Sequence, residues 1–201
     1  SQLSEDGKRI LIRARGPEEI GVRYTTKDEI IAVDFDGKKV DGPDGLATPV
    51  EVYIHTWLYK TRPEIRSVIH IHPPIVMLFT ICEKPLLPLY GAYDPGSLAL
   101  LLDGVPTYGR SVLIRNDELG RDLSTAMGTK QACLMRGHGI TTVGASVEDA
   151  TMTAIRLNEV AEINYRASHL GTPKPIPDED IADFRSMRRK HDDKPDLRTA
   201  A

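Results

Sequence analysis

The sequence predicts a mixed α/β fold, and three observations carry that reading. Short apolar runs of strand length open the chain, helix-start chemistry alternates with further strand-like runs through its second half, and a long capped helical pattern follows. Arg9–Arg13 and Ile30–Asp34 read as strands, and Lys39–Val40 pairs with the second across the turn signal Asp36-Gly37, which suggests an early hairpin. In Thr48-Pro49-Val50-Glu51, Thr stands at an N-cap, Pro at the first helical position and Glu three residues after the cap. Ile54, Trp57 and Leu58 then supply an apolar face, and Arg62-Pro63 stops the helix. Next come a strand through Ser67–His72, a short helix over Pro74–Thr80, and a turn-rich run from Glu83 to Gly96 expected to lie near His70 and His72.

Strand Ser111–Ile114, helix Asp117–Met127 and strand Gln131–Met135 then alternate, and Ser146 caps a helix reaching about His169. Beyond the Pro-rich stretch 171–177, a polar helix from Asp178 to about His191 carries Arg185, Arg188, Arg189 and Lys190 as a solvated or subunit-facing surface. The last residues read as disordered. No internal repeat interrupts this order, so residues 1–201 are expected to form one domain, with 172–201 as a C-terminal helix and tail.

Composition narrows the function classes. With 201 residues, 40% of them hydrophobic, the chain is long enough to bury one substantial core. A formal charge of −3 offers no broad basic field and 5% aromatic content offers few stacking platforms, which argues against nucleic acid as a partner. No apolar run reaches membrane-spanning length and no signal-peptide pattern opens the segment, so the expectation is a soluble, cytoplasmic protein with no membrane partner. Cys82 and Cys133 lie in apolar surroundings without a paired-cysteine spacing and are expected to be buried thiols.

The chemistry concentrates in three histidines. Alternate residues of a strand share a face, so His70 and His72 stand side by side with Ile71 turned away. His138 lies between Gly137 and Gly139 just after the apolar run Ala132–Met135, where missing Cβ atoms let the backbone turn sharply and approach another strand. One histidine on an apolar strand is commonly a hydrogen-bonded core residue. Two on one face of such a strand each need a buried partner, and a shared cation meets both needs. Three imidazoles with open remaining positions describe a catalytic metal site. Glu51 has two readings here. It closes a capping box with Thr48, or it uses the positive end of the helix to hold a carboxylate beside the metal as general acid/base or ligand. His55, one turn later, reads as a packing or hydrogen-bonding residue.

Glu51-x-x-x-His55, Arg62-Pro63, Ser67-Val-Ile-His-Ile-His-Pro73, Arg136-Gly-His-Gly139 and Ser146-x-Glu-Asp-Ala150 together resemble the class II aldolase/adducin family over nearly the whole chain. The resemblance implies a three-layer α/β/α sandwich around a mostly antiparallel central sheet. It also implies His70, His72 and His138 as metal ligands, Glu51 as the catalytic carboxylate, and a homotetramer with sites between subunits. Family members already have an N-terminal helix where this segment begins, which implies native residues ahead of Ser1.

The sugar-phosphate members of that family cradle phosphate with hydroxyl-rich turns. Here those turns are replaced by Ile12-Arg13-Ala14-Arg15-Gly16 and Thr48-Pro49-Val50-Glu51. Val and Pro cannot bond a phosphate, whereas an Arg at the same turn presents a fork matched to a carboxylate. The segments 13–17, 85–94 and 135–139 resemble the family's decarboxylases of hydroxylated aromatic dicarboxylates, of dihydroxyphthalate and hydroxypyridine-dicarboxylate type. The expected activity is therefore metal-dependent decarboxylation of a small anionic substrate. Arg13 and Arg15 are its carboxylate-binding candidates, with Tyr90, Tyr93 and Arg110 behind them. The ion is expected to be Zn²⁺ or Mn²⁺, with Fe²⁺ also compatible, one per subunit. The competing expectations are a class II (retro-)aldolase acting on a hydroxy-keto acid or sugar phosphate, and an adducin-like module without chemistry.

Overall fold

Short, largely apolar strands build one mixed sheet, with helices on both of its faces. The structure, a computed structural model, describes residues 1–16 and 21–192, the side chains of 189–192 excepted. Its strands are β1 (Gln2–Leu3), β2 (Ile10–Arg13), β3 (Ile30–Val33), β4 (Lys39–Asp41), β5 (Ser67–Ile71), β6 (Thr107–Tyr108), β7 (Ala132–Met135) and β8 (Gly139–Gly144). They run in the order β4-β3-β2-β1-β5-β8-β7-β6, and among these pairings only β6 with β7 is parallel.

Helices α1 (Val52–Thr61) and α4 (Asp117–Met127) cover one face, where Ile54, Leu58, Leu123 and Met127 meet Val68, Cys133 and Val143. On the other face α2 (Pro74–Ile81) and α5 (Val147–Leu170) bury Val76, Ala154 and Leu157 against Leu134 and Ile140, and α3 (Pro95–Asp103) packs on α5. These three layers are the expected α/β/α sandwich. Each large aliphatic side chain fully buried there contributes about 1.5–3 kcal/mol relative to exposure. No described helix is long and apolar enough to cross a membrane.

The early hairpin, α4 and the Ser146 cap of α5 form as the sequence predicts, and α6 (Asp178–Asp192) follows the Pro-rich stretch. Arg188 of α6 is committed to Asp103, with a nitrogen-to-oxygen separation of 3.0 Å. The side chains of Arg189 and Lys190, and the tail expected to be disordered, lie outside the described residues.

Three expectations are corrected. Thr48 does not cap α1 and Glu51 closes no capping box. Residues 49–52 form a turn closed by the Val52 N–H donating to the Pro49 carbonyl, the helix starts at Val52, and the Glu51 carboxylate is engaged by the Ile114 N–H instead. Ser111–Ile114 is not a strand. The strand is Thr107–Tyr108, after which the chain leaves the sheet and crosses to α4, so the Ile114 N–H is free to serve a side chain instead of a ladder. Cys82 is exposed, because it caps the C-terminus of α2 beyond the buried turn, whereas Cys133 is buried as expected. The sequence reading also passed over β1, α3 and β8. For α3, Pro95-Gly96 reads as a loop, yet the Asp94 side chain accepts the Gly96 N–H and Pro95 takes the first turn, which is a helix start. The glycines at both ends of β8 hide a strand that is buried on both faces.

Gly139 sits where β8 passes closest to the end of β5. A Cβ on it would collide with the Ile71 carbonyl oxygen and the His72 ring. Gly139→Ala is expected to lower unfolding free energy by about 1–3 kcal/mol in urea titrations, the cost of overpacking. Gly109→Ala, where an added Cβ meets nothing within 4 Å, is expected to stay within about 0.5 kcal/mol.

His55 is buried on α1 with its Nδ1 2.8 Å from the Ser1 hydroxyl, and burial above all pushes its pKa well below the usual imidazole range. The folded protein therefore holds His55 neutral where the unfolded chain protonates it. This contribution to stability is complete above about pH 6.5 and is lost as pH falls below that value. In metal-free protein, His55→Asn is expected to flatten the fall in stability between pH 6.5 and 5 by up to about 1.4 kcal/mol per pH unit. Equal slopes in the two proteins would contradict this account.

Candidate metal centre

Two antiparallel strands and one turn bring the histidines together. β5 pairs with β8 in a register that sets His70 opposite Thr141 and Ile71 opposite Ile140. His138 stands on the turn between β7 and β8, immediately before Gly139. The close approach at Gly139 carries its ring against the other two, with ring centroids 4.8 Å (His70 to His72), 5.0 Å (His70 to His138) and 4.9 Å (His72 to His138) apart. Glu51, entering α1 from the facing layer, completes the group. Its Oε2 lies 3.5 Å from His70 Nε2 and 3.3 Å from His138 Nε2. One candidate ligand atom from each of the four residues falls within 4.8 Å of every other.

Backbone groups fix the orientation of two members. The Ile140 carbonyl lies 2.9 Å from His70 Nδ1 and can only accept, so Nδ1 carries the hydrogen and Nε2 presents a lone pair to the cluster. The Ile114 N–H donates to Glu51 Oε1 at 2.8 Å, which leaves Oε2 for the histidines. Burial pushes the Glu51 carboxyl upward. The His138 and His70 imidazoles beside Oε2 and the hydrogen bond from the Ile114 N–H outweigh that and hold it well below the usual carboxylate range, so the group is an anion. His72 is more open. Its partial burial, then the proximity of His70 and His138, lowers its pKa and favours the neutral ring that a metal requires.

These residues fit a divalent ion. His70 Nε2 and His72 Nε2 lie 2.9 Å apart, and the lone pair already assigned to the first makes a shared cation a natural occupant of the space between them. Both ring nitrogens of His138 are buried with no hydrogen-bond partner among the described residues, an expensive state for a ring with no other task. Three nitrogens and an adjacent carboxylate have the composition from which catalytic metal sites are built.

The other expected site residues are placed less directly. The register through β1 sets Leu11 and Ser67 both opposite Gln2, so Arg13 and Arg15 lie toward the same end of the sheet as His70. Ile12 and Ala14 turn to the α1 side, and Arg13 leaves the opposite side of the strand to donate to Thr25 Oγ1 at 2.8 Å. Arg15 exchanges two backbone hydrogen bonds with Ala47, which ties it to the segment leading into Glu51. Arg110 is exposed, 3.9 Å from Asp122, just ahead of the segment whose Ile114 holds Glu51.

Tyr90 and Tyr93 stack edge to face at 5.3 Å on the loop before α3. Burial raises the Tyr90 pKa, with the Asp94 and Glu159 carboxylates adding to it. Glu159 in turn lines a cavity of about 610 Å³ together with Ile69, Ile71, Ala154, Ile155 and His72, so apolar space borders the histidine cluster. The expected approach of the 83–96 loop holds at its start, where Glu83 pairs with Arg136 at 2.5 Å. Sequence reading missed the Ile114 N–H and the Ile140 carbonyl, because a backbone group carries no residue-type signal.

Comparison with known proteins identifies the family of the chain. A family profile described as Class II Aldolase and Adducin N-terminal domain matches residues 3–165. The chain is 37% identical over 181 residues to the 3,4-dihydroxyphthalate decarboxylase of Arthrobacter keyseri, covering 87% of this chain and 72% of that protein. It is 38% identical over 181 residues to the 3,4-dihydroxyphthalate decarboxylase of Rhodococcus jostii (strain RHA1), covering 87% of this chain and 74% of that protein. Among solved structures, an L-fuculose 1-phosphate aldolase matches with a TM-score of 0.72 at 22% identity, over 94% of this chain and 84% of that one, a likeness of fold. With a profile match across most of its length and relatives above one third identity, the chain belongs to the class II aldolase and adducin N-terminal domain family.

Proposed function

We propose that this chain is a metal-dependent carbon–carbon lyase that decarboxylates a hydroxylated aromatic or heteroaromatic dicarboxylate. The observation that carries the proposal is the convergence of His70, His72, His138 and an anionic Glu51 on one point. It occurs in a chain that resembles two 3,4-dihydroxyphthalate decarboxylases over 87% of its length. His70, His72 and His138 hold the ion, with Zn²⁺, Mn²⁺ and Fe²⁺ all compatible with the donor set. When bound, the ion supplies an electrophile for a ring hydroxyl and the neighbouring carboxylate, so charge on oxygen costs less as carbon dioxide leaves.

The chain's own residues handle the proton and the second carboxylate. Glu51, an anion fixed through Oε1, takes the hydroxyl proton on Oε2 and returns it to the ring carbon that bears the departing group. The electron pair of the broken carbon–carbon bond then moves into the ring system, and a proton from solvent restores the hydroxyl. Arg15, tied to the segment that presents Glu51, and Arg13 are assigned to the second carboxylate, with Arg110 as the further cationic candidate. The cavity beside His72 gives an aromatic ring room next to the ion, and Tyr90 and Tyr93 on the loop before α3 are the further substrate-binding candidates. A cytoplasmic homotetramer with sites between subunits goes with this reading through family membership.

Purified protein is expected to hold about one divalent ion per chain by plasma emission spectrometry, and His70→Ala to lose it along with activity. Carbon dioxide release from ortho-hydroxylated aromatic dicarboxylates should stop on chelation and return with metal. Cleavage of a hydroxy-keto acid in place of carbon dioxide release would move the assignment to the retro-aldolase reading. Glu51→Gln, which preserves shape and removes the proton-carrying group, is expected to lower kcat about 10²–10⁴-fold.

A further inference from the structure

The turn that presents His138 is held at each of its N–H groups. The Arg136 N–H donates to the Tyr108 carbonyl at 3.0 Å, the His138 N–H to the Met135 carbonyl at 3.1 Å, and the Gly137 N–H to Thr80 Oγ1 at 3.0 Å. Of these three holds, only the last is supplied by a side chain. Gly137 has φ 56°, the left-handed conformation that glycine adopts without strain, and its N–H points away from the turn's own carbonyls toward the end of α2. Thr80 is 5% exposed, and its hydroxyl donates to the Met77 carbonyl at 2.7 Å. The proton of that hydroxyl is therefore spent on the helix, and its lone pairs are what the turn receives. The pairing of Glu83 with Arg136 across the same junction draws the residues after α2 onto the same turn.

We infer that Thr80 is a positioning residue for the His138 ligand: the C-terminal end of α2 sets where that imidazole stands relative to His70 and His72. The inference rests on the metal reading above and extends it to a residue that touches neither the ion nor the substrate. His138 needs such support, because neither of its ring nitrogens has a hydrogen-bond partner among the described residues. His70 is different, since the Ile140 carbonyl fixes its ring directly. The orientation of His138 must come from its backbone, and its backbone is fixed by the turn. Metal sites lose affinity when an outer support of a ligand is removed, typically by about 10–100-fold.

The test is a titration of metal-free protein with Zn²⁺ by calorimetry, and with Co²⁺ by visible absorption, which reports ligand geometry. Thr80→Val keeps the shape and removes the acceptor. It is expected to raise the dissociation constant about 10–100-fold and to alter the Co²⁺ bands, while Thr80→Ser stays within about threefold of the parent by keeping the hydroxyl. Ser124→Ala, which removes a buried hydroxyl 2.7 Å from Thr61 Oγ1 between α1 and α4, is the control for a merely structural loss and should leave both readouts unchanged. If Thr80→Val does not fold, Thr80→Ala is titrated in its place with the same expectation. Parent protein that binds metal, with the acceptor-free variant binding equally well and with the same Co²⁺ spectrum, overturns the role of Thr80 alone. Parent protein that takes up no metal overturns the metal reading and this inference together.

Discussion

The close backbone approach at Gly139 is the constraint on which the site depends. Only a residue without a Cβ lets the start of β8 lie against the Ile71 carbonyl and the His72 ring, and His138 is the residue immediately before it. Sheet pairing then does the rest. The β5–β8 register places His70 beside Thr141, and the tight β7–β8 connection returns His138 to the end of the strand that carries its partners. Ligands far apart in sequence are joined by backbone hydrogen bonds that any sequence with this strand pattern would make. The specificity lies in one glycine and in the side chains at the strand end.

The two faces of the sheet contribute differently. On the α1 side, Glu51 enters at the start of a helix buried against Val68 and Val143, and its carboxylate spans two elements by accepting from Ile114 while facing His70 and His138. On the α5 side, Ile69 and Ile71 turn away from the histidines and line apolar space bordered by His72. A polar cluster thus has an apolar cavity at its edge. That combination suits a small ligand with a polar end and an apolar body.

Much of the architecture was legible because local signals agree with the final packing. Asp117–Met127 has an Asn116 cap and an amphipathic pattern, Ser146 caps the long helix, and the Asp36-Gly37 turn joins two paired strands. The failures share a cause. Ser111–Ile114 has strand-like composition, but strand character needs a neighbouring strand, and its Ile114 N–H was claimed by a carboxylate from another layer. Thr48 and Glu51 have capping-box spacing, but the same carboxylate could not serve both the helix start and the histidines, and burial beside two imidazoles decided the competition. Cys82 lies in an apolar stretch, but the helix ends there and turns it outward.

By itself the sequence nominated the four residues that the fold brings together, Glu51, His70, His72 and His138. Period-two spacing puts His70 and His72 on one face, paired glycines mark His138 as a residue at a close approach, and a carboxylate stands at a helix start. Only the tertiary structure decided how those groups are held. The Ile140 carbonyl selects the tautomer of His70, the Ile114 N–H aims Glu51, and the Thr80 hydroxyl anchors the turn beneath His138. The physical reason is that each of these holds is a hydrogen bond between elements distant in sequence, and at least one partner is a backbone group. Every residue carries the same backbone donor and acceptor, so nothing in a residue's identity announces which of them will be left over from secondary structure to serve the site.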